Sequence, residues 1–349
     1  MESAIELEDV QCSEQVFDIA FHPLLDRVVA CGLIDGKVEI WGCGNPSDID
    51  SSRLLFCHQL HTSSCRGVYF NGSGDVLYTI SSDKSLQGVN ETGQLVFRIP
   101  NAHNKPINKF VSTAEHAIVT GDDAGTVKFW DSRLGSGAAM EWRLHEDFIS
   151  GLAFGNQAFS LFSTGGDARL CGYDLRSQHL LYRSTPQESE LHCLTIFPDL
   201  PNGIAGSGSG AVIAGAQDGS LLSFNCEESS GDDTGMPISD NFSSRFPLQS
   251  EAIDCMHKLD NANLLTGSSD GQIRLIALQQ PDRVIGVIGD HEEFPVEGMC
   301  ANRDNTLLGS FAHDEVVRFW DLERIASHTV TNKAADENGG WSHAAAMVM

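Results

Sequence analysis

Residues 118–133 read IVTGDDAGTVKFWDSR: an apolar run ending in Thr-Gly, a tight acidic turn, an alternating strand, then Trp-Asp-Ser-Arg. Aligned on its turn, this stretch recurs along the chain as CGLIDGKVEIW (31–41), TISSDKSLQGV (79–89), STGGDARLCGYD (163–174), AGAQDGSLLSF (214–224), TGSSDGQIRLI (266–276) and SFAHDEVVRFWD (310–321). The turn position falls at Asp35, Asp83, Ala124 (with Asp123 beside it), Asp167, Asp218, Asp270 and Asp314, spaced by 48, 41, 43, 51, 52 and 44 residues. A fixed period of this length is the mark of a repeat architecture. Each unit opens with a short strand such as ISGLAF (149–154) and continues through an apolar strand into the acidic turn. A strictly alternating third strand follows, with a large or apolar residue at one place: Trp41, Val89, Trp130, Tyr173, Phe224, Ile276 and Trp320. Asp-Gly suits the reversal because the central residues of such a hairpin take positive φ.

With a fourth strand before the next unit, seven four-stranded units predict an all-β fold, a seven-bladed WD-repeat β-propeller closed by an N-terminal strand. One blade has two apolar faces and is not stable alone. Stacking in a ring buries both faces and leaves few open edges. The expectation is therefore one domain, residues 1–324, although the 349-residue length alone suggests about two. The blades fall at about 12–43, 58–91, 102–133, 144–176, 187–226, 249–279 and 290–322. Blade seven is one strand short, and AIELEDV alternates well, so residues 3–10 are expected to pair onto its outer edge. The segments 199–210 (DLPNGIAGSGSG) and 226–246 (CEESSGDDTGMPISDNFSSRF) read as flexible insertions, the second a mobile connection between blades five and six. Residues 325–349 lack periodicity and are expected to be disordered.

The net charge of −26 sets this surface against phosphate backbones and anionic lipid, and no four consecutive residues are Lys or Arg. Direct nucleic-acid binding and membrane association are therefore not expected. The ten cysteines stand singly, none at C-x-x-C spacing, so no zinc pattern arises. The start MESAIELEDV is acidic where a secretion signal needs a basic and then an apolar region. A reducing compartment, nucleus or cytoplasm rather than the secretory route, is the expectation.

His61, His103, His145 and His291 each precede the first strand of a blade by four or five residues. In WD-repeat proteins such a His, a strand Ser or Thr, the turn Asp and the strand Trp form a hydrogen-bonded chain. Blade seven has all four as His291, Ser310, Asp314 and Trp320. Recurrence in several blades argues for a structural network and against catalytic triads, since one active site has no use for repeated copies. GSSDG (267–271) matches a nucleophile-elbow pattern, but strand follows strand there, where that turn needs a helix. The glycines of 199–210 are followed by neither the Lys nor the helix of a phosphate loop. Blade six has Gln249 in the His place. No catalytic residue, cofactor or metal site is expected.

DIAFHP (18–23), SCRGVYF (64–70), NAHNKPIN (101–108), GDDAGTVKFWDSR (121–133), HEDFISGLAF (145–154), AIDCM (252–256), TGSSDGQIRLIALQQPDRVIGVIGDHEEFPVE (266–297) and HDEVVRFWDLE (313–323) resemble, in order, the WD repeat-containing protein 55 family. The resemblance implies a non-catalytic scaffold of nucleus and nucleolus, a monomeric propeller within larger complexes, with ribosome-assembly factors as partners and a role in ribosomal RNA maturation. Family members usually carry a basic C-terminal tail. Beyond Glu323 the cationic residues here are Arg324 and Lys333, so nucleolar residence is expected to come through protein partners. An alternative rests on the run ending in Arg133. It resembles the W-D-x-R motif by which substrate receptors of cullin-4 RING ubiquitin ligases dock the damaged-DNA-binding adaptor. Trp130, Asp131 and Arg133 form one copy, and Tyr173, Asp174 and Arg176 a second with Tyr for Trp. Blade seven has Glu323 in the Arg place. Alternation puts Asp131 and Arg133 on one side of the strand and Trp130 on the other. The competing reading is that Arg133 merely pairs with a neighbouring carboxylate.

Overall fold

The structure, a computed structural model, describes residues 7–44, 52–112, 116–131, 133, 137–155, 160–197, 211–225, 242–248, 250–278 and 283–325. Strands β1 to β28, numbered in chain order, group there into seven four-stranded antiparallel sheets. Their innermost strands are β2 (Val16–Phe21), β6 (Cys65–Phe70), β10 (Ile107–Ser112), β14 (Ile149–Phe154), β18 (Leu191–Phe197), β22 (Ile253–Lys258) and β26 (Val296–Ala301). Each touches the next, and β26 returns to β2, so the sheets close into a seven-bladed propeller.

The core lies between blades. Val38 of blade one packs with Cys65, Val68 and Leu77 of blade two, and Trp130 of blade three with Tyr78, Ile80 and Leu86 of blade two. Leu170 and Leu191 join blades four and five, and Ile213 and Ile253 join five and six. This is the sandwiching that a unit with two apolar faces requires.

Blade seven is completed from the other terminus. β27 (Leu307–Ala312) and β28 (Val316–Asp321) pair in sequence, and β1 (Val10–Gln11) lies on the outer edge of β28 with Val10 opposite Val317 and Gln11 opposite Val316. Among the described residues the closing strand thus sits at residues 10–11, against the expected 3–10 span. Residues 3–6 fall outside the described part, and residues 7–9 carry no strand. The cause is local. The Asp9 carboxylate accepts the Phe319 backbone N–H, a place a pairing strand would fill, and Glu8 N–H donates to Gly44 O of blade one at 3.2 Å. The chain therefore leaves the β28 edge and ties blade seven to blade one. Val10, Cys12 and Val16 are buried there with Leu307, Phe311 and Val317.

Segment 226–246 also differs from expectation. Phe242–Pro247 is β21, which pairs with β20 (Ser220–Asn225) and gives blade five its fourth strand, Leu222 standing opposite Arg245. The insertion lies within blade five, not between blades five and six, because the edge of β20 takes FSSRFP as its partner. Residues 226–241, the segment 199–210, Gln249 and the tail from residue 326 lie outside the described residues; residues 322–325 form a helical turn after β28.

Two backbone devices recur in all seven blades. The turn between second and third strands holds one residue at positive φ: Gly36, Lys84, Gly125, Ala168, Gly219, Gly271 and Glu315. The first strand carries a register shift between its first and third residues, as at Val16/Asp18, Ile107/Lys109 and Val296/Gly298. Such a bulge re-aims its extra residue. These extra residues are Phe17, Arg66, Asn108, Ser150, His192, Asp254 and Glu297, a ring of unlike side chains on the innermost strands.

Candidate interaction surfaces and the polar network beneath them

The four blade-seven residues singled out from sequence are in contact. His291 Nδ1 donates to Asp314 Oδ2 at 3.0 Å, His291 Nε2 is 2.8 Å from Ser310 Oγ, and Trp320 Nε1 donates to that same Oγ at 2.8 Å. Blade four repeats this with His145, Asp167 (2.8 Å), Ser163 (2.7 Å) and Tyr173, whose hydroxyl is 3.0 Å from Ser163 Oγ. Blade two has His61 against Thr79 at 2.9 Å and Asp83 at 3.2 Å. In blade three His103 meets Thr120 at 2.6 Å and Trp130 donates to Thr120 at 2.7 Å, but the acid is Asp122, at 2.9 Å. Ala124 holds the turn place, and Asp122, two residues nearer the strand, reaches the same histidine while its other oxygen accepts from Thr126 N–H at 2.8 Å.

Blades one, five and six have no histidine against the turn acid among the described residues, and each supplies another cation. Lys37 pairs with Asp35, Arg245 with Asp218 and Glu188, and Arg274 with Asp270, Nη2 donating at 2.5 Å. Each of these acids thus meets a nitrogen of a histidine, lysine or arginine side chain, as desolvated carboxylates require a polar partner. Sequence reading missed these substitutes. Arg274 was visible four residues past Asp270. Arg245 was not, because it arrives on β21 from beyond an insertion. In blade one Cys12 and Cys31 occupy the His and Ser places, and the hydrogen bond to Cys12 together with burial pushes the Cys31 thiol well above its ordinary range. Trp41 there donates instead to Glu39, at 3.0 Å.

Protonation follows from this chemistry. Burial alone would raise the pKa of Asp83, Asp122, Asp167 and Asp314, but the bonds from their histidines and from backbone N–H groups outweigh it and hold all four low. Burial likewise works against a charged His145, yet the bond to Asp167 wins and its pKa rises to about 9. The His–Ser–Asp sets are thus consumed in bonding each blade to itself. Among the described residues no three metal-ligating side chains cluster.

The W-D-x-R residues divide between core and rim. Trp130 is buried, while Arg133 is 65% exposed. Its guanidinium forks onto Asp131, Nε to Oδ1 at 2.9 Å and Nη2 to Oδ2 at 2.6 Å, which holds the Asp131 carboxyl down to about 2. In blade four Tyr173 is buried, and Asp174 Oδ1 accepts the Arg176 backbone N–H at 2.7 Å. Trp130 and Tyr173 therefore serve the network, and a docking contact there is left to Asp131, Arg133, Asp174 and Arg176.

A family model, WDR55, matches residues 7–325 of this chain. WD repeat-containing protein 55 of Arabidopsis thaliana is 33% identical over 326 residues, covering 93% of this chain and 85% of that protein. The Bos taurus protein of the same name is 31% identical over 324 residues, covering 93% and 78%. WD repeat-containing protein JIP5 of Coprinopsis cinerea is 31% identical over 322 residues, covering 90% and 74%. Closed ring, repeated network and a match running through all seven blades agree: the chain belongs to the WDR55 family.

Proposed function

We propose that this propeller is a non-catalytic protein-interaction scaffold of the nucleus and nucleolus that serves ribosomal RNA maturation through ribosome-assembly factors. One observation carries the scaffold half of this reading. The acid–histidine sets that resemble catalytic groups are bound into the blades, in four blades alike, while the varied residues lie on the axial ring and the rim. The ribosomal half rests on the family. The surface, at net charge −26, favours protein contacts over RNA phosphate. The test is depletion in cells with tagged-chain capture. The expected result is accumulation of unprocessed ribosomal RNA and recovery of assembly factors; normal processing with no such factors recovered overturns the assignment. In a filter-binding assay at varied salt the purified chain should retain no RNA, and retention that falls steeply as salt rises would reverse the expectation about nucleic acid.

The exposure of the Arg133 guanidinium favours a second reading, docking to the adaptor of a cullin-4 ubiquitin ligase, with Asp131 orienting the fork for a partner acceptor. Arg133→Asp with Arg176→Asp should abolish co-precipitation with the adaptor while the melting temperature stays within a few degrees. Undiminished binding by the folded double variant rules this docking out.

A further inference from the structure

A cavity of about 200 Å³ on the propeller axis is lined by residues of all seven blades, among them the carboxylates Asp18, Asp254 and Glu297. The repeated network does not account for these three. Where Asp18 stands, blades two, four, five, six and seven have glycine or cysteine (Gly67, Gly151, Cys193, Cys255 and Gly298), and blade three has Lys109. Each has some company: Asp18 accepts Val68 N–H at 2.9 Å, Asp254 takes Ser269 Oγ at 2.5 Å and the His192 ring at 2.9 Å, and Glu297 faces His313 at 3.0 Å.

Permanent positive charge is scarce. Arg66 is engaged by Asn108 and by Asp123, at 3.5 Å. Lys109 lines the same cavity and acts electrostatically on Asp18 and Glu297, with no carboxylate among the described residues within salt-bridge distance. Burial raises the Asp18 carboxyl to about 6, the Val68 N–H and Lys109 opposing, and burial raises Glu297 as well. Three acids facing a lysine that has no carboxylate partner among the described residues, in a half-desolvated space, have room for a further cation. Phe17, Phe110, Met256 and Met299 supply apolar wall, which suits a weakly hydrated planar cation with a hydrocarbon stem better than a strongly hydrated ammonium.

We propose that the axial cavity binds an arginine side chain of a partner protein, with Asp18, Asp254 and Glu297 as acceptors and Lys109 as the chain's own competing cation. The inference rests on the scaffold reading. If it fails while partners are still captured from cells, the axial site is wrong and the scaffold stands.

The test is NMR titration of the whole chain with acetyl-Gly-Arg-Gly-amide and with the isosteric neutral citrulline peptide. The arginine peptide should perturb resonances of the inner strands and the citrulline peptide should not. Asp18→Asn with Glu297→Gln should weaken binding about tenfold. Lys109→Gln should tighten it, and lowering the pH from 7.5 to 5 should weaken it as Asp18 and Glu297, both raised by burial, take up protons. The Lys109 variant keeps the test sharp should the acidic double variant fold poorly, because the opposite reading, an anion held by Lys109 and Arg66, predicts that it loses binding. Equal binding of citrulline, or weaker binding by Lys109→Gln, overturns the proposal.

Discussion

His145 carries one half of a buried pair with Asp167, its side chain fully inaccessible. Removing one partner of such a pair leaves the other charge uncompensated, so His145→Ala should cost about 3–5 kcal/mol in urea unfolding at pH 7. The pH dependence has a definite direction. The His145 pKa rises from an ordinary 6.5 to about 9 on folding, so its contribution is complete below about 6.5 and disappears as pH climbs through 9. The stability gap between the wild type and a His145→Gln variant should narrow over that interval, and a gap constant from pH 6 to pH 9.5 would contradict a charged His145. At the acid end Asp167 acts in the opposite sense, because its lowered pKa contributes above the ordinary carboxylate value and the contribution is lost as pH falls below it. For these residues, position before a strand and recurrence were legible from one chain. Asp122 was not, because choosing between two adjacent acids depends on which oxygen reaches the ring of His103.

At the scale of the blade, the turn is where sequence and backbone agree least evenly. Four blades put glycine at the positive-φ place, while Lys84, Ala168 and Glu315 hold φ of 70, 58 and 61 there. A non-glycine residue in that region is strained by about 1–2 kcal/mol, partly offset by the extra freedom glycine has when unfolded. Ala168→Gly should therefore stabilise the protein by up to about 1 kcal/mol in chemical denaturation. Gly125→Ala should destabilise it, since the added carbon would press on the carbonyl of His145 as well as strain the turn. A destabilised Ala168→Gly would show that the turn is not under strain. Strand periodicity and the Asp-Gly reversal made the second and third strands legible. The fourth strand of blade five was hidden, because FSSRFP has a weak pattern of its own and becomes a strand by meeting the open edge of β20.

For the whole molecule, the ring depends on a short seam. β1 contributes two paired residues to blade seven, whereas the β21 strand contributes five to blade five. Val10 is nevertheless buried between blades seven and one, and burial of a valine is worth about 1.5–3 kcal/mol. Deleting residues 1–11 removes that contact, the β28 pairing and the Asp9 cap on Phe319, and should lower the melting temperature by about 10 °C. Calorimetry showing an unchanged melt would mean that the ring closes without its N-terminal strand.

What the chain determined by itself was repetition: alternating strands, acidic reversals and the histidine before each of four blades follow from local chemistry that repeats with the period. Tertiary structure decided where unlike segments meet. It chose Arg245 as the cation for Asp218 in blade five, set the closing strand at Val10–Gln11, and brought the bulged residues Phe17, Arg66, Ser150, Asp254 and Glu297 of five blades to one axial cavity. Those pairings join residues that lie far apart in sequence or belong to different blades, and no local pattern encodes a partner that only ring closure brings within a few ångströms.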